Sequence, residues 1–462
     1  MGSVKKTNRY EMDMSSGPLL RKIITFAVPL ILASNLQLMF NAVDVIVVGR
    51  FSGSLSLAAV GSTTALINLM INFLTGISLG VGVLAGQYFA SGKEKAMSEL
   101  VHTAVGFALT AGIGLGCLGI FFARWALTTM GTPSEVLPLS LLYIRVYFLG
   151  LPFFMLFTYG AAVLRAVGDT KRPLFFLTLA GILNAVLNMI LVIGFDLDVL
   201  GVAVATVFSQ FVSCILVIRC LIKTEGSYHL NPGKLTLRMD YLKKIFKIGL
   251  PAGLQSMVMD FSNILLQSSV NTLGQTAMAG YTASNSVFGF LFVTSNAFTQ
   301  TCMSFMSQNF GAGKWNRMPK VLRDCMGLGL GTIFVMGSAI YLFREPIFSI
   351  YTHNPEAIQA GCDVFRFTTV TYFILTIADI LPGAMRGFGY STVPMILYCL
   401  GIVGVRILWI FGVFPIYHEL DLLFISYPLS WIAAATMEIT YFTFIWRRMK
   451  RKREQEEGLP AA

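Results

Sequence analysis

A polar stripe that ends in a carboxylate lies on the first apolar segment of the chain. Gln37, Asn41 and Asp44 are spaced by four and three residues, so they share one face of a helix. An acidic side chain on an otherwise apolar helix is costly and marks a functional position. The chemistry open to one such carboxylate is reversible binding of a proton or a small cation. The alternative is that Asp44 only reaches a polar interface or pairs with Arg50.

Two asparagine pairs repeat the one-turn spacing on other apolar segments. They are Asn184 with Asn188, and Asn68 with Asn72. Asparagines in membrane helices often join neighbouring helices through hydrogen bonds, and this structural role stays open for both pairs. The other interpretation is the polar lining of a substrate cleft, for which Gln37, Asn41 and Asn68 are candidates.

Three acids lie on apolar segments of the second half of the chain: Asp260, Asp379 and Glu438. Asp260 and Asp379 are candidates for the lining of a substrate cleft. Asp379 stands seven residues before Arg386, so a hydrated or ion-paired role is equally open to it. Glu438 lies near the basic tail, where the same structural role is available.

The composition places these residues in a membrane protein. The 462 residues are 55% hydrophobic and 12% charged, whereas soluble domains contain about 25% charged residues. Segments of roughly 20 apolar residues are needed to cross a bilayer. We predict twelve transmembrane helices, at residues 23–48, 57–85, 100–122, 138–161, 173–195, 199–222, 246–270, 277–304, 321–343, 364–385, 393–414 and 421–446.

The basic residues predict the orientation of these helices. With the amino terminus in the cytoplasm, 27 of the 34 Lys and Arg lie at cytoplasmic ends or connections. The outer connections hold only Arg50, Arg124 and Arg344. Both termini are therefore predicted to be cytoplasmic. The net charge of +11 is spread over separate segments, which argues against a nucleic-acid partner and for a lipid bilayer.

The chain divides near its midpoint and repeats. The predicted parts are a cytoplasmic amino-terminal segment, an amino lobe, a basic cytoplasmic linker, a carboxyl lobe and a basic cytoplasmic tail, at residues 1–22, 23–222, 223–245, 246–446 and 447–462. At a constant offset of 221, Gln87, Gly92 and Lys93 match Gln308, Gly313 and Lys314, and Arg165, Gly168 and Pro173 match Arg386, Gly389 and Pro394. Six helices per repeat imply an all-α membrane fold of two lobes, related by a pseudo-two-fold axis along the membrane normal.

These motifs resemble the multidrug and toxic compound extrusion (MATE) family, and specifically its bacterial DinF-like branch. The resemblance rests on VDVIVVGR at 43–50, GQYFASGK at 86–93 with its echo SQNFGAGK at 307–314, and LRAVGDTKRP at 164–173 with its echo MRGFGYSTVP at 385–394. It extends from about residue 18 to residue 446.

The resemblance implies an antiporter that exports amphipathic, often cationic compounds against H⁺ or Na⁺. The family's first-helix carboxylate falls on Asp44, and its polar pair on the fifth helix falls on Asn184 and Asn188. Some members have an aspartate at the position of Asn188, so a mechanism with two carboxylates is not expected in this lobe. Members that use Na⁺ have acids on the helices that contain Asp260 and Asp379. The resemblance further implies a bacterial inner (plasma) membrane, no cofactor beyond the coupling ion, and function as a monomer.

Our mechanistic hypothesis is that Asp44 alternates between the coupling ion and an interaction that promotes substrate binding. Neutralising Asp44 then relaxes the first helix around Pro29, whose ring nitrogen donates no hydrogen bond. Three other classes were weighed. A lipid-linked precursor flippase shares the gross fold, a major-facilitator transporter would have a different second-to-third connection, and a membrane enzyme would need a catalytic cluster that the sequence does not contain.

Overall fold

The computed structural model describes residues 10–350, 354–369 and 371–457. These residues pack into two compact units. The first unit contains the described residues up to Gly253 together with Ser307–Met318, and the second contains Leu254–Met306 and the described residues from Pro319 onward. The outermost residues of the two predicted cytoplasmic ends, 1–9 and 458–462, lie outside the described residues.

The described residues form helices and contain no strand. Helices of the first half are α1 (Leu19–Val47), α2 (Gly53–Ala90), α3 (Glu94–Thr129), α4 (Leu137–Leu149), α5 (Leu151–Ala166), α6 (Lys171–Asn188) and α7 (Asp198–Lys223). Those of the second half are α8 (Met239–Asn271), α9 (Gln275–Gly311), α10 (Met318–Leu342), α11 (Arg344–Ser349), α12 (Pro355–Thr369), α13 (Tyr372–Gly387), α14 (Thr392–Cys399), α15 (Val405–Gly412), α16 (Phe414–Tyr417) and α17 (Leu420–Glu457). Three π-helical turns interrupt them, at Val48–Ser52, Met189–Gly194 and Leu400–Gly404.

The lengths of these helices suit a bilayer. Among the described residues, seven helices are long and apolar enough to cross a membrane, or nine if two bent pairs each form one crossing. One of the seven is the 72-residue stretch Leu19–Ala90, over three times the roughly 20 residues that one crossing needs. It contains both α1 and α2, separated at Gly53, whose φ of 84° and ψ of 177° are not helical. The predicted segments 246–270 and 277–304 lie within α8 and α9. These two helices are not among the seven, because polar residues are frequent along them.

Two predicted single segments are bent pairs of helices. Residues 138–161 fall on α4 and α5, which meet at Gly150 with an angle of 45°. Pro152 follows at the start of α5 and has no N–H to continue the α4 ladder. Residues 364–385 fall on α12 and α13, whose angle is 51°. The first bend arises where Pro152 follows a helix end inside an apolar segment, which hydropathy alone does not detect.

The internal repeat is visible in the backbone. Three pairs of glycines at the offset of 221 have matching left-handed conformations: Gly53 and Gly274 (φ 84° and 96°), Gly92 and Gly313 (both 67°), and Gly168 and Gly389 (95° and 97°). A positive φ is readily adopted only by glycine. The repeated motifs therefore encode repeated turns at corresponding helix ends.

A close crossing of α2 and α8 lies inside the first unit. Gly76 and Gly80 of α2 face Gly249 and Gly253 of α8, and each pair is spaced by four residues. A methyl group added at Gly80 would lie 2.3 Å from the carbonyl oxygen of Ile245. Small residues at this spacing let two membrane helices approach until their backbones touch.

Residues 307–318 belong to the first unit because the amino-terminal segment binds them. The backbone N–H of Met14 donates to Oε1 of Gln308 (2.9 Å), whose Nε2 donates to the Ala166 carbonyl (2.7 Å). Asn309 donates to the Met14 carbonyl (3.1 Å), and Arg317 donates to the Gly17 carbonyl (2.8 Å). The segment thus joins the end of α9, and the turn that follows it, to the end of α5.

Candidate functional site

Asp44 and Asn188 occupy corresponding places on two packed helices of the first unit. Asp44 lies in the last turn of α1, and Asn188 is the last residue of α6. Each helix then continues into a π-helical turn, Val48–Ser52 after α1 and Met189–Gly194 after α6, and these turns touch each other. Single π-turns within α-helices are rare and occur frequently at functional sites, because they re-aim the neighbouring side chains.

A chain of hydrogen bonds connects Asp44 to α7. The Asn188 side-chain amide donates both to Oδ1 of Asp44 and to Oδ1 of Asn184 (3.3 Å). The amide of Asn184 donates in turn to Oγ1 of Thr206 (3.3 Å), which donates to the Val202 carbonyl (3.0 Å). Asn184 and Asn188 are buried, and Asp44 is partly buried. The Oδ1 of Asn188 is buried and has no hydrogen-bond partner among the described residues.

Two tyrosines of α4 complete the surroundings of the carboxyl group. Tyr143 and Tyr147 are buried with ring centroids 6.3 Å apart, and both interact electrostatically with Asp44. The side chain of Gln210 on α7 lies beside the hydroxyl of Tyr147. The site therefore draws on four helices: α1, α4, α6 and α7. It provides one carboxyl group, one donor bound to it, and two buried acceptors without a hydrogen-bond partner among the described residues, Asn188 Oδ1 and Gln210 Oε1.

Among the described residues, no hydrogen bond joins Gln37, Asn41 or Asn68 to this network. The side chains of Gln37, Asn41 and Asn68 are exposed, and Asn72 is half-buried. Gly181 of α6 packs against the ring of Phe40 on α1. Helix α6 therefore contacts the face of α1 that carries Phe40. Gln37 and Asn41 are exposed, as a cleft lining requires, and their role in a cleft stays a prediction.

The second unit contains a separate acidic position at Asp379. The Tyr398 hydroxyl donates to its Oδ1 (2.7 Å), and the Ser295 hydroxyl donates to its Oδ2 (3.1 Å). Asp379 thus binds hydroxyl groups, and in the described part of the chain it forms no ion pair with Arg386. Asp260 lies half-buried on α8. Within the described residues, no group of three His, Cys, Asp or Glu side chains has the geometry of a metal site.

Known proteins place this architecture in a family. A family model described as MatE matches residues 29–190 and 251–411, which is well over half of the chain. The chain is 28% identical over 441 residues to "Probable multidrug resistance protein YoeA" of Bacillus subtilis (strain 168), covering 93% of this chain and 94% of that protein. It is 24% identical over 357 residues to a protein named "FAD transporter" of Shewanella oneidensis, covering 74% of this chain and 77% of that protein.

A solved structure has the same fold. It is described as the outward-facing conformation of a multidrug resistance MATE family transporter of the MOP superfamily. Its TM-score to this chain is 0.89 at 18% identity, and it covers 97% of this chain and 100% of that chain. The predicted all-α fold of twelve transmembrane helices is thereby confirmed.

These similarities distinguish between the classes of membrane protein that the sequence leaves open. The family assignment excludes an enzyme and a major-facilitator transporter, and it favours efflux over lipid-linked precursor flipping. The DinF-like branch stays a prediction. The chain belongs to the MatE family and is a multi-pass membrane transporter of the multidrug efflux type.

Proposed function

We propose that the chain exports amphipathic, cationic organic compounds in exchange for H⁺ or Na⁺ by alternating access, and that Asp44 binds the coupling ion. The observation that supports this most directly is the bond from Asn188 to Asp44, at the junction of two helices and two π-turns. A carboxyl group surrounded by buried side chains is costly to ionise without a cation. A proton and an organic cation therefore compete for the same group.

Of the two ions, we favour H⁺. The group that faces Asp44 is an N–H donor of Asn188, which suits a carboxylate or a protonated acid but repels a metal cation. Sodium would need several oxygen ligands. Asn188 Oδ1 is a buried acceptor without a partner among the described residues, and turning this amide would be required to present it to Asp44.

The energy available from one coupled charge is sufficient for export. One charge that moves inward through about 100 mV supplies about 2.3 kcal/mol. This corresponds to roughly a fifty-fold concentration gradient if the substrate adds no opposing charge. Exchange at Asp44 therefore drives efflux without a nucleotide or another cofactor.

The remaining predictions belong to the same proposal. Both termini lie in the cytoplasm, the amino lobe is 23–222, the carboxyl lobe is 246–446, and the protein works as a monomer in a bacterial inner membrane. The many basic residues at the predicted cytoplasmic ends support the orientation.

The proposal is tested with purified protein in liposomes loaded with a fluorescent organic cation. We expect export against an inward proton gradient and none against an inward sodium gradient of the same size. Export driven only by the sodium gradient would support antiport and show that Na⁺, rather than H⁺, is the coupling ion. Export under neither gradient would contradict the proposal. FAD loaded in parallel liposomes tests the substrate class that the name of the Shewanella relative suggests.

Replacing Asn188 with Ala removes the hydrogen bond that Asp44 accepts. Hydrogen bonds to charged groups contribute about 1.5–3 kcal/mol, so we expect the initial export rate to fall by roughly tenfold or more. Asn184→Ala, which disturbs Asp44 only through Asn188, should have a smaller effect. The exposed Asn316 provides the matched control, because Asn316→Ala removes an asparagine outside both the network and the candidate cleft lining. Equal rates for Asn188→Ala and Asn316→Ala would show that the contact is structural.

A further inference from the structure

Glu438 of α17 is a buried acid that the mechanism above does not use. Its side chain is 0% exposed, and neither Oε1 nor Oε2 has a hydrogen-bond partner among the described residues. An ionised carboxylate in such surroundings costs several kcal/mol, and the group takes up a proton instead. Glu438 lies within the long helix α17. No described Lys or Arg of the basic tail forms a hydrogen bond with its carboxyl group.

The nearest opposite charge is Arg386 of α13. Arg386 is 6% exposed and donates to Oε1 of Gln255 on α8, while its Nε has no partner among the described residues. Arg386 and Glu438 interact electrostatically, yet within the described chain they form no ion pair. Two groups of opposite charge therefore interact electrostatically here, and each has buried polar atoms that no described residue satisfies.

The other titratable groups around this pair are few. Cys399 of α14 and Tyr441 of α17 interact electrostatically with Glu438. Asp379 and Tyr398 interact with Arg386. Among the described residues, no second carboxyl group interacts electrostatically with Glu438. A metal cation here would meet the guanidinium group and one carboxyl group, so a proton is the better ligand.

The first repeat shows that the acid is not needed for packing. At the offset of 221, Glu438 corresponds to Val217, which is fully buried on α7, and Arg386 corresponds to Arg165. Helix α5 packs against α7, as α13 packs against α17. The same position is therefore filled by an apolar side chain in one repeat and by an acid in the other.

We propose that Glu438 is a second proton-binding site, protonated while Gln255 holds Arg386 and ionised when Arg386 turns to pair with it. In the release step the O–H bond of Glu438 breaks, the proton leaves to water, and the carboxylate accepts N–H bonds from Arg386. Proton binding at Glu438 stands independently of transport. Its use as a second carried proton rests on the proposed antiport.

Infrared spectroscopy of the purified protein tests proton binding without any transport. A protonated carboxyl group gives a carbonyl stretch that a carboxylate does not. At neutral pH we expect this band to lose one component in Glu438→Gln and in Glu438→Val, and to retain that component in Asp44→Asn. In Arg386→Gln no guanidinium group is available to pair with the ionised Glu438. We therefore expect this variant to keep the component at an alkaline pH at which the wild type has lost it.

The Val variant guards against misfolding, because the first repeat accommodates Val at this position; its elution from a sizing column is compared with that of the wild type. An unchanged band in both Glu438 variants would overturn the proposal. The transport role is tested separately: proton movement per exported cation should fall in Glu438→Gln. If the proton gradient drives no export by the wild type, the proposed antiport is wrong. The infrared result still shows whether Glu438 binds a proton.

Discussion

Asp44→Asn is expected to abolish gradient-driven export. The substitution keeps the size of the side chain, and the new amide oxygen still accepts the hydrogen bond from Asn188. It removes the group that we propose exchanges a proton for a cation. The accumulation ratio, up to roughly fifty-fold for one charge at about 100 mV, should therefore fall to that of protein-free liposomes.

The measurement is export of the fluorescent cation under an imposed proton gradient, with equal amounts of wild-type and variant protein. Glu135→Gln is the matched control, since it neutralises an exposed acid in the connection before α4. Binding of the cation without a gradient, followed by fluorescence, separates loss of substrate binding from loss of coupling. Wild-type coupled export by Asp44→Asn would show that another group binds the ion.

The fold was largely predictable because its signals are local. Apolar segments and basic connections follow from the cost of placing polar groups in lipid. The repeat at the offset of 221 placed matching residues at corresponding connections, and Gly92 with Gly313 and Gly168 with Gly389 share left-handed conformations there. The bend at Gly150 was not predicted, because hydropathy does not register Pro152 as a break. The π-turns were not predicted, because they depend on how neighbouring helices pack.

The candidate site was predictable only where its residues share one helix. Asn184 and Asn188 were found from their one-turn spacing, and Asp44 from the cost of a charge in an apolar segment. Tyr143 and Tyr147 were missed, although they have the same one-turn spacing on α4. Their importance comes from a contact across helices, which leaves no spacing in the sequence. The contact between Asp44 and Asn188 spans 144 positions of the chain and is seen only in the structure.

A substitution at the glycine crossing of α2 and α8 is expected to have the largest effect on stability. A Cβ atom at Gly80 would lie 2.3 Å from the Ile245 carbonyl oxygen, and one at Gly249 would lie 2.3 Å from the Ile77 carbonyl oxygen. Real Cβ atoms do not approach backbone oxygens so closely, so the two helices must separate. Overpacking of this kind costs about 1–3 kcal/mol, more than the roughly 1 kcal/mol that alanine gains over glycine in a helix.

Gly82 and Gly61 of the same helix give the comparison its control. A Cβ atom at Gly82 would lie 3.7 Å from the Ala162 carbonyl oxygen, an ordinary contact, and one at Gly61 would meet nothing within 4 Å. We expect Gly80→Ala and Gly249→Ala to lower the midpoint of thermal unfolding, and Gly82→Ala and Gly61→Ala to leave it unchanged or raise it. The chain has its own reporters for this measurement, because the free thiols of Cys214, Cys302, Cys325 and Cys362 are buried and react with a fluorogenic dye on unfolding.

The pair of outcomes separates two explanations of why glycine is present in α2. If all four substitutions lowered the midpoint alike, the glycines would matter for the flexibility of the helix rather than for its crossing with α8. If only Gly80 and Gly249 were sensitive, backbone contact would be the cause, since membrane helices associate mainly through such close packing. Gly80→Ala combined with Gly249→Ala then adds a further test: once the first methyl group has separated the helices, the second should cost less than it does alone.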